Sequence, residues 1–201
     1  AANPHVRHRA AASLEVIDAC EQVDAWVIDG DHNWYTVFHE LKAIDAVCRR
    51  DGKPLLAFLH DVAWPWARRD SYYAPERIPP EFRQPYDYEG GVTLGRTNLL
   101  PGGGFRGLGQ YAAAISEGGP RNGVLTAVED FRADAGRELA FALVPAVFGL
   151  GVLFDHHAPW SQALGRFLLP WHRNPLLASL EQNRLANYLR VIDLQDMMAA
   201  A

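Results

Sequence analysis

The sequence predicts an α/β domain, on three observations. Residues 25–28 and 54–59 are short apolar runs without polar alternation, the pattern of strands covered on both faces in a parallel sheet. Between them, apolar residues at 34, 37, 38, 41, 44, 47 and 48 return to one face of a 3.6-residue helix. Both runs end abruptly in acidic and imidazole side chains: Asp29-Gly30-Asp31-His32 after the first, His60-Asp61 after the second.

In chain order, residues 11–20 read as helix-like, with Val16-Ile17 the tail of an earlier unit. Asn33 is expected to cap the helix over 34–50 and Asp51-Gly52 to stop it. Strand, helix and strand make a right-handed βαβ unit. Its polar residues then fall at the carboxyl ends of the strands, where open α/β sheets bind ligands. Residues 63–121 interleave Trp64, Trp66, Tyr72, Tyr73, Tyr86 and Tyr88 with prolines and glycine clusters. So long a stretch without regular structure is expected to be a lid or substrate wall, the plainer alternative being a surface excursion with no role. A helix follows over 124–137, then strands over 138–144 and 146–154, whose short connection at Pro145 forces antiparallel pairing. Residues 160–169 and 176–198 are expected to be helices. The second carries Leu177, Leu180, Leu185, Leu189 and Ile192, a face to dock on the sheet or on a partner.

Composition narrows the function. The 201 residues suit one domain, and 49% hydrophobic against 21% charged residues exclude disorder for most of the chain. A net charge of −5 argues against a nucleic-acid partner. Two cysteines, Cys20 and Cys48, cannot build a disulfide framework or a four-thiolate zinc site, so a reducing, cytoplasmic location is expected. The longest apolar stretch, 138–155, is broken by Pro145, Gly149 and Gly151, and a membrane helix needs about 20 apolar residues. No membrane span is expected.

The strand ends carry the chemistry. Three carboxylates (Asp29, Asp31, Asp61) and two imidazoles (His32, His60) are expected to converge at one sheet edge. Oxygen ligands suit Mg²⁺, Ca²⁺ or Mn²⁺, and added imidazole admits Mn, Fe, Co or Zn. The alternative is that Asp31 or Asn33 only caps the following helix.

This arrangement of Ile28-Asp29-Gly30-Asp31-His32, an aromatic, an amphipathic helix, Asp51-Gly52, an apolar strand and His60-Asp61 resembles class I S-adenosylmethionine-dependent methyltransferases. It is most similar to the bacterial branch whose fourth strand ends in IDGDHSY and whose fifth ends in HD. The resemblance covers residues 5–155 without the insertion. It implies a Rossmann-like methyltransferase fold of three layers with a mostly parallel sheet and a C-terminal antiparallel hairpin. That domain would occupy 1–155, with 63–121 inserted and 156–201 a C-terminal helical extension.

By the same resemblance, methyl transfer from S-adenosylmethionine to an oxygen of a small molecule or sugar is implied. Asp29 and the pair His60-Asp61, or Asp61-Val62 in a shifted register, would bind Mg²⁺ or another divalent metal. His32, three residues after Asp29, would be the general base, since imidazole accepts a proton at neutral pH. Ser13 and Asp29 would lie at the cofactor, with Ser13 as a helix cap the alternative. The family's glycine-rich first turn and the acidic residue after its second strand have no counterpart here, so the chain is expected to start at the third strand, N-terminally incomplete. Residues 102–107 fit G-x-G-x-x-G but lack the strand–turn–helix context of a cofactor loop.

Weaker features are His156-His157, whose adjacent side chains diverge on an extended chain, and Ser161, which lacks nucleophile-elbow glycines. Trp26 and Trp34 read as core and pocket wall. The rival to an enzyme is a non-catalytic scaffold or dimerisation module using the C-terminal helices to meet a second copy or a neighbouring domain. A metal-dependent hydrolase on the same carboxylates is the third reading.

Overall fold

Ser13–Val16 forms a single helical turn, α1, in the computed structural model, which describes residues 5–199. Residues 1–4 and 200–201, the ends of the two expected domains, lie outside the described residues. Strand β1 (Trp26–Ile28), helix α2 (Trp34–Asp51) and strand β2 (Leu56–Leu59) follow. Asn33 caps α2 as expected, its Oδ1 accepting from the Thr36 amide at 2.8 Å, and Gly52 closes the helix at φ +66°. Val37, Leu41, Ile44 and Cys48 are its buried stripe. The βαβ unit pairs β1 and β2 in parallel, Trp26 against Ala57 and Ile28 against Leu59.

The insertion is more regular than its sequence suggests. It builds a three-stranded antiparallel sheet from β3 (Ser71–Tyr72), β4 (Tyr86–Asp87) and β7 (Ala112–Ala114), and a two-stranded one from β5 (Gly90–Gly91) and β6 (Leu100–Pro101). Strands of two or three residues, one of them Ala-Ala-Ala, carry no periodicity and little β-propensity. Long-range contacts hold them instead. The fully buried Arg69 donates to the carbonyls of Ala114 and Thr97.

Helix α3 (Val124–Asp134) and the hairpin of β8 (Leu139–Val144) and β9 (Leu150–Asp155) complete the main sheet, in the order β1-β2-β9-β8. The mostly parallel, Rossmann-like sheet implied by the resemblance does not form. The fold is mixed α/β, and its four-stranded sheet has one parallel pair, with β9 antiparallel to both β2 and β8. The reason is connectivity. β2 and β8, joined through the insertion and α3, run in the same direction but are not neighbours: β9, reversed by the short turn after β8, lies between them and pairs antiparallel with both.

Alternate residues of the second strand segment face opposite sides. Leu55, Ala57 and Leu59 pack into the core with α2 and α3, and Leu56 and Phe58 face helix α4 (Ser161–Leu168). Helix α5 (Pro175–Ala199) returns over the insertion and hairpin. There Arg106 pairs with Asp196 through two bonds of 2.8 and 2.7 Å, and Phe148 donates its amide to Glu181 at 2.8 Å. Among the described residues, no helix is long and apolar enough to cross a membrane.

Candidate metal centre

The two strand ends are tied together where β1 and β2 finish, the His60 amide donating to the Ile28 carbonyl at 3.0 Å. Parallel register then sets Asp29 beside His60 and Asp61. The turn into α2 folds His32 back over them, and the Ser71 amide of the insertion holds that turn by donating to the His32 carbonyl at 3.0 Å. The result is a closed ring of four donors. His32 Nε2 lies 3.5 Å from Asp29 Oδ1 and 3.1 Å from Asp61 Oδ2, while His60 Nδ1 lies 3.3 and 3.4 Å from the same two oxygens. All four ligand atoms fall within 4.8 Å of one another.

Ligand atoms around one ion of the first transition row are spaced this way. Tetrahedral bonds of 2.1 Å set neighbouring ligands about 3.4 Å apart, and octahedral bonds of that length about 3.0 Å. Two carboxylates this close repel unless a cation lies between them. His32 Nε2 is buried and has no hydrogen-bond partner among the described residues. Asp61 is buried with its backbone at φ +59°, a conformation few non-glycine residues adopt, and it aims its carboxylate into the ring. Burial pushes the Asp61 carboxyl above its ordinary value, opposed by the two imidazoles. The residues therefore fit a divalent ion. Val62, the alternative in the shifted register, is a fully buried core residue, whereas His60 lies with Asp61 in the ring.

Aromatic side chains wall the ring. Phe148 meets His60 edge-on at 6.3 Å and stacks on Trp64 at 6.1 Å, with Phe105 5.8 Å from Trp64. Tyr111 closes this wall. Its hydroxyl is buried without a hydrogen-bond partner among the described residues, and burial pushes the phenol well above its ordinary value.

Asp31 departs from expectation. It turns away from the ring into a cleft of about 700 Å3 lined by Ser13, Gly30, Tyr35, Glu40 and Tyr73. Three carboxylates thus do not converge; two do, with both imidazoles. Burial raises the Asp31 carboxyl, opposed by the Thr36 hydroxyl donating to its Oδ2 at 3.1 Å, and its Oδ1 has no hydrogen-bond partner among the described residues. Burial likewise raises Glu40 to about 7, opposed by a hydrogen bond from Ser13. Ser13 does not cap α1, whose cap position is Ala12. Ser13 and Asp29, the expected cofactor residues, jointly line a second cleft of about 340 Å3 along β1.

Residues 102–107 follow strand β6 as a tight turn against Gly91 and a single bridge between Phe105 and Val92, with no helix after them. His156 and His157 lie outside the ring of four, His157 facing Glu138 at 3.3 Å. Ser161 starts α4 and donates to the His156 carbonyl at 2.6 Å. Trp34 is core, its indole donating to Asp130 at 2.7 Å, and Trp26 packs half-buried against that core. Glu40, Asp70 and Tyr111 escaped the sequence reading. Glu40 and Asp70 are carboxylates on a helix and in a loop, and nothing local marks their burial. Comparison with family models, with curated proteins and with solved structures finds no match, so the methyltransferase resemblance stands on the strand-end motifs.

Proposed function

We propose that Asp29, His32, His60 and Asp61 hold a divalent transition-metal ion beside a small oxygen acceptor, and that the reaction is methyl transfer from S-adenosylmethionine. The observation that carries the metal is the closed ring of four donors 3.1–3.5 Å apart around a buried, unpartnered imidazole nitrogen. The reaction type rests on the motif resemblance. Two nitrogens in the donor set favour Mn, Fe, Co or Zn over Mg²⁺, which prefers oxygen.

When bound, the metal supplies Lewis acidity toward an acceptor hydroxyl. Asp29 and Asp61 neutralise the cation, and Phe148, Trp64 and Tyr111 exclude water from the acceptor side. The cleft of Ser13, Asp31, Tyr35 and Glu40 is the cofactor side of this reading, its carboxylates suited to ribose hydroxyls. Without a metal, the unpartnered His32 Nε2 accepts the acceptor proton instead, and the Asp61 carboxylate 3.1 Å away stabilises the imidazolium that forms. The unpaired Cys20 and Cys48 support a reducing, cytoplasmic location.

Calorimetric titration of Mn²⁺ and Zn²⁺, and separately of S-adenosylhomocysteine, tests both parts. His32→Ala should weaken metal binding at least tenfold if the nitrogen is a ligand. Unchanged metal affinity with lost turnover would make it the base. Silence toward metal and nucleoside alike would leave the assembly reading, which the exposed apolar face of α5 favours.

A further inference from the structure

Helix α5 has two apolar faces, and the fold uses one. Glu181, Leu185 and Leu189 are buried against the rest of the chain. At 100° per residue, Leu176, Leu180, Asn183, Asn187, Val191, Leu194 and Met198 fall within about 40° of one line on the opposite side. All seven are exposed and none is charged. Leu176 is 66% exposed, Leu180 57%, Val191 and Leu194 49% each, and Met198 79%. Isolated exposed leucines are ordinary; an uncharged stripe along a helix whose other face is already docked, apolar toward both ends with Asn183 and Asn187 between, marks a contact surface.

The order of residues along the stripe identifies the occupant. Leu176 and Met198 lie eleven residues either side of Asn187, Leu180 and Leu194 seven, and Asn183 and Val191 four. About a two-fold axis through Asn187 and perpendicular to the helix, each residue meets the one equally far beyond the axis, so Leu180 meets Leu194, Leu176 meets Met198 and Asn187 meets its own copy, with Asn183 against Val191 the one mixed pair. Antiparallel packing also opposes the helix dipoles favourably.

Charge agrees. Arg184 and Arg190 sit on opposite edges of the stripe, and Arg184 is already held by Glu181 at 2.7 Å. In the antiparallel pair, Arg190 comes beside the partner copy's Asn183 amide rather than another cation. The five apolar side chains offer about 500 Å2 per copy, or about 1,000 Å2 for the pair, the lower bound for a specific interface.

We infer that this chain forms a two-fold homodimer through α5, packed antiparallel on α5 of a second copy with Asn187 at the axis. This is independent of the metal reading. Sedimentation equilibrium of the 201-residue chain should give twice the monomer mass, and Leu180→Glu with Leu194→Glu should give monomer with an unchanged circular dichroism spectrum. Under mild oxidation Asn187→Cys should cross-link to itself at least tenfold faster than Gln182→Cys, which lies off the stripe. Leu180→Cys should link to Leu194→Cys in a mixture of the two but not to itself. A wild-type monomer at 50–100 μM (about the range where such interfaces saturate), equal cross-linking at 187 and 182, or self-linking at 180 would overturn the inference.

Discussion

The carboxylate of Asp70 lies 2.7 Å from the amide of Trp34, the first residue of α2. The same Oδ1 accepts from the Gly123 amide at 2.6 Å, immediately before α3. One fully buried carboxylate of the insertion therefore serves the N-termini of two helices, with Tyr72 donating to its other oxygen at 2.7 Å. This fastens the insertion over the turn that carries His32.

Asp70→Ala strands two amides and a phenol and should cost about 3 kcal/mol in urea unfolding. Asp70→Asn keeps an acceptor for both amides and should cost less. Burial raises the Asp70 carboxyl to about 6. The folded state thus binds this proton more tightly than the unfolded chain. Stability contributed here is full below pH 4 and falls as pH rises toward 6, by about 3 kcal/mol in all. That slope should vanish in Asp70→Asn; an identical slope in the variant would remove Asp70 as its source.

Glu40 makes a similar prediction in another window. Its carboxyl is raised to about 7, first by burial and then by Asp31 nearby. Stability should decline as pH rises from 4.5 through 7, because the buried group must ionise. Glu40→Gln should match wild type at pH 4 and exceed it by about 1–3 kcal/mol at pH 8. Equal stabilities at pH 8 would show that the cleft hydrates the ionised group.

The ring makes a metal-specific prediction. Mn²⁺ or Zn²⁺ should raise the melting temperature of the wild type by several degrees and a chelator should reverse it. Asp29→Asn and Asp61→Asn should lose most of the shift. Asp31→Asn, two residues from Asp29 but facing the other cleft, should keep it. Loss in all three variants alike would point to a diffuse acidic surface rather than this ring.

Gly123 sits at φ +93°, and a Cβ there would come within 2.5 Å of the Ala67 carbonyl oxygen and the Arg69 amide. Both are backbone atoms and cannot rotate away. Gly123→Ala should cost more than about 2 kcal/mol. Gly165→Ala in α4, with nothing within 4 Å, should stabilise by about 0.5–1 kcal/mol. A scan giving equal effects would contradict the close approach at 123.

Tyr111→Phe removes a buried hydroxyl that has no partner among the described residues. Stability should hold or rise by about 1 kcal/mol. A loss above that would mean the hydroxyl is already satisfied by ordered water.

Much of the site was legible because its signals are local. The 3.6-residue spacing from Trp34 to Cys48, the Asn33 cap and the Gly52 stop each depend on a few neighbouring residues. Of the two apolar runs expected to be covered on both faces, the one closing on His60 is, whereas Val27 in the run closing on Asp29 is 78% exposed, because no described residue packs on the outer face of β1 there. Adjacency of the two polar ends then follows from a short βαβ unit.

Sequence by itself determined the βαβ unit, its helix boundaries, and which residues stand at its carboxyl edge, because propensity and periodicity act within a few residues. Tertiary structure alone decided that β9 enters between β2 and β8, making the sheet mixed. It also decided that Asp31 leaves the ring while Asp61 enters it at φ +59°, and that Asp70 caps Trp34 from 36 residues away. Those outcomes come from close packing and from satisfying buried polar groups between distant segments, and no local pattern encodes them.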